Sequence, residues 1–537
     1  MRLGQMAVAL ALPTLTSLSY LSPARAVDCD GLKSTKISDT TIISAEAVPA
    51  GDLTTADNVT RKDMPAFCRV VASVKDAPDS DIRVELWMPN EGWKGVFHVN
   101  GNGGYAGVLA YNYGAMEAAT KRGYASAMTD LGMAPATPLN GDALVGHPDK
   151  WKDWGMLGTH EAAVAGKQIT KSFYGAGAKR SYYTGCSTGG QQGLIEAEYF
   201  PEDFDGILAG APVVSRTWGH AVAVTSFQAA NLKPGHKLSD ANLALLTKSA
   251  IAACGAKGGG LKSDPFLVDP LACDFDPATL TCKGAAADDC LTPEQVETAK
   301  AIYLGPADHN GKPLFYGEQR GAEAGVFNWG FLQAPGNAPG EPGFDGLFKW
   351  VFGPNWDWRT FDAESDMKKV AAALGPVLNG AVTGDVTKFH DRGGKLILFQ
   401  GWADPIVPIG QTVDFYKGLT SKFGGEEKTK EFARLFMFPG IGHCGIGGGL
   451  NRFDSSAFGG VQPPALDPEH DIFTALSHWV EDGVAPDQVI ATKYVGDDAS
   501  KGIAMQRPLC PYPQRAWYRG DGDANSAANF VCAADKK

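Results

Sequence analysis

Tyr182-Tyr183-Thr184-Gly185-Cys186-Ser187-Thr188-Gly189-Gly190 joins an apolar strand signal to a Gly-x-Ser-x-Gly pentapeptide, and a helix-like run over 191–200 follows. A serine on a sharp turn between strand and helix is held in a strained backbone conformation with its hydroxyl exposed. The glycines two positions to either side leave room for the flanking backbone to approach closely. Ser187 is therefore expected to be a nucleophile. A Gly/Ser-rich surface turn would be spelled in the same way, so the surrounding pattern decides between the two.

Upstream, 41–43 and 67–74 read as strands and 83–88 alternates polar and apolar residues. A further strand over 93–100 ends at Asn100-Gly101-Asn102-Gly103-Gly104. A glycine-rich loop that leaves a strand ahead of the nucleophile can supply an oxyanion donor, here from Gly103. It has neither the Gly-x-x-x-x-Gly-Lys pattern nor the dinucleotide spacing of a phosphate loop. Another strand lies at 124–129, and 160–174 has helical period, with Ala162, Ala163, Ala165, Ile169 and Phe173 as its apolar set. After Ser187, the run 204–212 is the next buried strand, and the alternation of strand and helix implies a parallel sheet.

Then the pattern changes. Residues 216–389 lack regular alternation, carry four cysteines and include a Gly/Pro-rich run at 332–339. A connection of that length is a domain insertion rather than a loop, and its place after the nucleophile makes it a lid. The sheet resumes at Lys395-Leu396-Ile397-Leu398-Phe399-Gln400 and leads to Gly401-Trp402-Ala403-Asp404. A last strand over 433–438 leads to Gly440-Ile441-Gly442-His443-Cys444, and a helix over about 470–484 and a disulfide-tied tail follow. The expected division is a leader over 1–26, core over 27–215, lid over 216–389 and core again over 390–537.

The 537 residues are 44% hydrophobic and 20% charged, enough for a large core. A formal charge of -12 without any clustered Lys or Arg argues against nucleic acid as a partner. Arg2 precedes an apolar stretch over 6–21, and Ala24-Arg25-Ala26 is a small-x-small cleavage signal, so a secretory leader cut after Ala26 and a secreted or periplasmic protein are expected. Pro13 and several Ser and Thr interrupt that stretch, which is shorter than the roughly 20 residues of a membrane span. No later segment is long and apolar enough to cross a bilayer, so no membrane partner is expected. Ten cysteines form an even set that an oxidising compartment allows to pair. Nearness in the chain suggests Cys29 with Cys68, Cys254 with Cys273, Cys282 with Cys290 and Cys510 with Cys532. Cys186 and Cys444 are left.

Ser187, Asp404 and His443 follow the order nucleophile, acid, base of the α/β-hydrolase topology, each just past the carboxyl end of a strand. His443 would take the serine proton, Asp404 would fix the imidazole, and the Thr188 and Gly103 N–H groups would hold the oxyanion. His98, His160 and His220 compete as bases, but none follows the last strand. Cys186 precedes the nucleophile and Cys444 follows the base. A bond between them would tie the two loops together if their Cα atoms lie within about 7 Å; two buried thiols are the other reading.

With Cys186-Ser187, Gly401-Trp402-Ala403-Asp404-Pro405 and Gly442-His443-Cys444 in place, the chain resembles the tannase/feruloyl esterase family, which also holds mono(2-hydroxyethyl) terephthalate hydrolases. The resemblance covers nearly all of the mature chain. It implies an α/β-hydrolase core with a large inserted lid domain, five disulfides, and hydrolysis of small aromatic-acid esters such as those of gallate, ferulate or terephthalate, with no cofactor in the chemistry. Family lids carry an Asp-rich calcium loop. Here the matching stretch from Cys254 to Asp264 keeps one carboxylate beside two lysines, whereas calcium takes six to eight oxygens. No calcium is expected, and the Cys254/Cys273 bond is expected to staple this loop alone. Phe327, Trp329, Phe331 and Trp350 could wall an aromatic acyl group, with Arg320 the nearest cation for a carboxylate-bearing substrate; packing within the lid is their other use. The function expected is a serine carboxylic-ester hydrolase working through an acyl-enzyme. An acyltransferase or peptidase with the same triad, or a catalytically silent binding protein of this fold, are the alternatives.

Overall fold

The computed structural model describes residues 28–534 apart from 286, 326, 337–338, 380–382 and 457–461. The leader expected over 1–26 lies outside the described residues.

Nine strands form one sheet: β1 (Thr40–Val48), β2 (Phe67–Val74), β3 (Ile82–Pro89), β4 (Val96–Asn100), β5 (Ala125–Thr129), β6 (Arg180–Cys186), β7 (Gly206–Gly210), β8 (Lys395–Gly401) and β9 (Ala433–Phe438). Their order is β1-β2-β3-β5-β4-β6-β7-β8-β9. From β5 to β9 all neighbours are parallel, as the alternation of strand and helix implies. The other end departs from that expectation, because β1, β2, β3 and β5 pair antiparallel. Only residues 75–81 separate β2 from β3, too few for the crossover that a parallel pair requires, so the chain has to turn straight back.

Strands β4, β5, β7 and β9 are buried at every position, as strands covered on both faces must be. Alternate residues feed two cores. Tyr183, Ile207, Leu396 and Leu398 pack with Ala162, Ile169, Leu194 and Val413 from the helices Gly158–Tyr174, Thr188–Tyr199 and Ile409–Lys422. Tyr182, Leu208, Ile397 and Phe399 pack with Ala119, Ile472, Leu476 and Trp479 from the helices Tyr113–Lys121 and Ile472–Asp482 on the opposite face. The period of two along each strand does this sorting. Each large apolar side chain so buried contributes roughly 1.5–3 kcal/mol.

Residues 211–394 give the sheet no strand among the described residues. They build helices of their own, among them Arg216–Asn231, Asp240–Cys254 and Pro293–Leu304. Two of these start at capping boxes, in which Ser239 and Asn242, and Thr292 and Gln295, exchange side-chain and backbone bonds. A separate apolar cluster of Leu243, Leu246, Leu291, Ile302 and Trp329 holds them together. The tail is more than a stapled coil: Val489–Tyr494 pairs with Ile503–Leu509 and Arg515–Tyr518 with Phe530–Ala533, both antiparallel.

All five disulfides are formed: Cys29–Cys68, Cys186–Cys444, Cys254–Cys273, Cys282–Cys290 and Cys510–Cys532. None of the cysteines is free. This is the sulfur chemistry of an oxidising compartment. No helix among the described residues is long and apolar enough to cross a membrane.

Candidate active site

Strand β6 ends at Cys186 and a helix begins at Thr188, leaving Ser187 at the turn with φ 64° and ψ −119°. A non-glycine residue held there costs of order 1–3 kcal/mol, so its surroundings must enforce it. They do. Ser187 N donates to Gly210 O at 3.0 Å and Gly189 N to Asn102 O at 2.8 Å, which pins the turn between β7 and the glycine-rich loop. A Cβ on Gly185 would fall 2.8 Å from the Gly189 backbone, the close approach for which the motif needs glycine at both ends.

Asp404 lies past the end of β8 and is fully buried. Its Oδ1 accepts the N–H groups of Ile406 at 2.9 Å and Val407 at 3.1 Å, and Oδ2 accepts Gln400 Nε2 at 3.3 Å. His443 follows β9 and brings Nδ1 to 3.0 and 3.1 Å from the two carboxylate oxygens. A carboxylate on Nδ1 orients the ring so that Nε2 is left for a partner on its other side, which is the arrangement a general base requires. The His443 loop crosses directly over β8: a Cβ on Gly401 would fall 2.1 Å from Ile441 O. The Cys186–Cys444 disulfide, with Cα atoms 5.7 Å apart, joins the residue before Ser187 to the residue after His443.

Ser187 and His443 line one cavity with Gly104, Tyr111, Pro138, Leu139, Phe327, Phe331, Phe344, Ile406, Ile446 and the Cys186–Cys444 pair. Ser187, Phe327, Phe344 and Cys444 all have positive φ, so left-handed backbone recurs on both sides of this cavity. The N–H of Thr188 opens a helix and has no intrahelical acceptor, which leaves it available to an anion beside Ser187. From the glycine-rich loop it is Gly104 that lines the cavity. Gly103, the donor expected from the sequence, sits one residue back against Tyr111, whose hydroxyl would be 1.8 Å from a Cβ at that position.

The competing histidines are engaged elsewhere. His98 is buried, stacks on Phe473 and bonds Thr184 Oγ1, and burial pushes its pKa down to about 3. His160 contacts Asp203 at 2.6 Å and stacks on Phe200. His220 Nδ1 lies 2.8 Å from Phe344 O, and burial together with Arg216 lowers its pKa to about 3.

Of the expected substrate contacts, Phe327 and Phe331 line the cavity, whereas Arg320, Trp329 and Trp350 do not. Arg320 donates to Phe275 O at 3.0 Å and lies over the Tyr303 ring, because a half-apolar guanidinium finds both partners inside the 211–394 segment. Trp329 is fully buried in that segment's core, edge-on to Tyr303. Trp350 stacks on Trp151 and donates to Gly141 O. Phe344 and Ile406 are wall residues that sequence reasoning missed. Phe344 lies in an aperiodic Pro-Gly-Phe stretch, but Ile406, two residues past Asp404, could have been found from its neighbour.

In the loop matching the family's calcium site, Asp264 accepts Leu261 N at 3.0 Å and pairs with Arg507 at 3.1 Å, both side chains being buried. Lys257 pairs with Asp274 at 2.6 Å and Arg515 with Asp269 at 2.7 Å. Carboxylates already neutralised by cations do not fit a divalent ion.

A mostly parallel sheet with a serine at the strand-to-helix turn, an acid and a base on the following strands, and a long insertion before the last two define an α/β-hydrolase fold. The tannase and feruloyl esterase family model matches residues 68–533, and the chain belongs to that family. It is 35% identical to an uncharacterised esterase of Xanthomonas campestris pv. campestris, across 97% of this chain and 94% of that one. Identity to the mono(2-hydroxyethyl) terephthalate hydrolase of Piscinibacter sakaiensis is 33%, across 88% and 85% of the two chains. The crystal structure of feruloyl esterase B from Aspergillus oryzae is similar at a TM-score of 0.82 and 26% identity, covering 94% of this chain and 99% of that one. The chain is a carboxylic ester hydrolase acting on a small ester.

Proposed function

We propose that the protein hydrolyses esters of neutral aromatic acids through an acyl-enzyme on Ser187. The carrying observation is that Ser187 and His443 line one cavity, that Asp404 holds His443 Nδ1, and that the opposite wall is phenylalanine. In this reading Ser187 Oγ attacks the ester carbonyl as its proton passes to His443 Nε2. The tetrahedral oxyanion is held by the Thr188 N–H and an N–H of the 103–104 loop. Collapse breaks the ester C–O bond, and the alcohol leaves with the proton from His443. Water then gives a proton to His443 and attacks the acyl carbon, and Ser187 departs with that proton as the acid is released.

Relatives named for feruloyl esters and for mono(2-hydroxyethyl) terephthalate bracket the acyl groups to be considered. The wall here carries no Lys or Arg among the described residues, and Arg320 is engaged elsewhere. A bare carboxylate in such a slot loses its hydration without gaining a partner. This favours ferulate-like acyl groups over a terephthalate monoester. The leader expected from the sequence to end at Ala26 and the five disulfides support export to the periplasm or medium, and the arginine-paired loop supports function without calcium.

The test is a panel of methyl gallate, methyl ferulate and mono(2-hydroxyethyl) terephthalate with wild type and Ser187→Ala. Wild type is expected to cleave at least one, best the ferulate, and Ser187→Ala to lose about 10⁵-fold or more in kcat. Turnover by Ser187→Ala at the wild-type rate removes Ser187 from the chemistry. EDTA is expected to leave turnover and melting temperature unchanged.

A further inference from the structure

Arg216, the first residue of the helix Arg216–Asn231, is 3% exposed and pairs with no carboxylate among the described residues. Burying a guanidinium without a counter-ion is costly, and purely structural roles rarely call for it. Among the described residues its bonds go to neutral groups. Nε donates to Gln191 Oε1 at 2.7 Å and Nη2 donates to the same oxygen, while Nη1 donates to Thr188 Oγ1 at 2.9 Å. The guanidinium lies 4.7 Å from the centre of the Trp154 ring. Thr188 Oγ1 in turn donates to Gly104 O at 2.7 Å.

The direction of this chain is fixed. Arg216 can only donate, so the Thr188 hydroxyl accepts from it and must turn its own proton to Gly104. The two residues so joined are the one whose N–H follows the nucleophile and the one by which the glycine-rich loop reaches the cavity. A donor chain that ends on a full positive charge also polarises each link. Burial pushes the Arg216 pKa down only to about 9, so it remains charged at neutral pH. The same charge is felt one helical turn on, where it helps keep His220 neutral.

We propose that Arg216 is a positioning residue of the oxyanion pocket: it locks Thr188 against Gly104 and sets a buried positive charge behind the point where the tetrahedral oxyanion forms. The proposal rests on the reading of Ser187 as nucleophile. A cation with no anionic partner among the described residues gains one only as negative charge develops, so it favours the transition state over bound substrate. An uncharged fork would knit the two helices equally well without that bias.

The experiment measures kcat, KM and melting temperature for Arg216→Met and Arg216→Lys on methyl ferulate, with 4-nitrophenyl acetate as a substrate lacking an aromatic acyl group. Arg216→Met is expected to lower kcat by about 30–100-fold on both substrates with KM within about twofold, and to shift the melting temperature little, because removal of an unpaired buried charge offsets the Gln191 oxygen left without its donors. Arg216→Lys is expected to stay within about tenfold of wild type. Wild-type kcat in Arg216→Met overturns the proposal. So does an equal loss in the lysine and methionine variants accompanied by a drop in melting temperature, which marks a packing role. Should neither variant fold, Thr188→Val decides: it breaks the link and is expected to lower kcat about tenfold, with Thr188→Ser restoring it, and an undiminished valine variant overturns the proposal. A dead Ser187→Ala beside an unaffected Arg216→Met sinks this inference alone. An active Ser187→Ala sinks the nucleophile reading beneath it.

Discussion

The two walls of the cavity are built by opposite means. On one side, Ser187, His443 and Ile406 extend from the ends of β6, β9 and β8, with backbone hydrogen bonds on Ser187 and Asp404 and a disulfide across the gap. On the other, Phe327, Phe331 and Phe344 come from irregular chain and one five-residue helix in the 211–394 segment, where Phe327 remains 39% exposed. Bond making needs groups held to a fraction of an ångström, which strand ends joined by a parallel sheet supply. Recognition of an acyl group needs only apolar area of roughly the right shape, so it can rest on a segment free to vary. Relatives that share this fold and are named for different esters are what such a division of labour produces.

That contrast can be broken at several points. On the sheet side, Asp404→Asn is expected to lower kcat by about 10³–10⁴-fold with KM nearly unchanged, because an amide that donates to Nδ1 forces the proton onto Nε2 and removes the base. A kcat loss below tenfold would show that another group orients His443. On the facing side, mono(2-hydroxyethyl) terephthalate is expected to show kcat/KM about 100-fold below bis(2-hydroxyethyl) terephthalate, which carries no free carboxylate. Equal values would mean that a cation beyond the wall reaches the substrate.

Cys186→Ser with Cys444→Ser tests how far the sheet side depends on its staple. A bond closing 258 residues stabilises by roughly 5–6 kcal/mol in the chain-entropy picture, so a lower melting temperature is expected, with kcat down about tenfold as the two loops part. Unchanged kcat would show that the flanking hydrogen bonds suffice. The smallest effect is expected of Phe331→Ala, a rise in KM of about fivefold with kcat within about twofold. A large fall in kcat instead would mean that this wall takes part in orienting the ester.

The same division governs what the sequence revealed. The placement of Ser187, Asp404 and His443 was legible because each follows a strand whose apolar run is unmistakable, and because topology fixes their order. The antiparallel start of the sheet was hidden, since alternating residues mark a strand but not its direction. The tail hairpins were hidden because three of their four strands are short or part-exposed and show no clean alternation of buried and exposed positions. In the 211–394 segment, aromatic content was visible but its use was not: Trp329 and Phe331 are two residues apart, and one is core while the other is wall. Only packing against Tyr303 or against the cavity separates them. Arg216 gave no signal at all, because a lone arginine opening a helix reads as surface.

The most direct measurement is rapid-quench mass spectrometry during turnover of 4-nitrophenyl acetate, with peptide mapping of the adduct. Acetyl carried by the peptide that contains Ser187, formed in a burst and absent from Ser187→Ala, is the result expected. Full turnover with no adduct on that peptide, or with the adduct on another residue, would contradict the account.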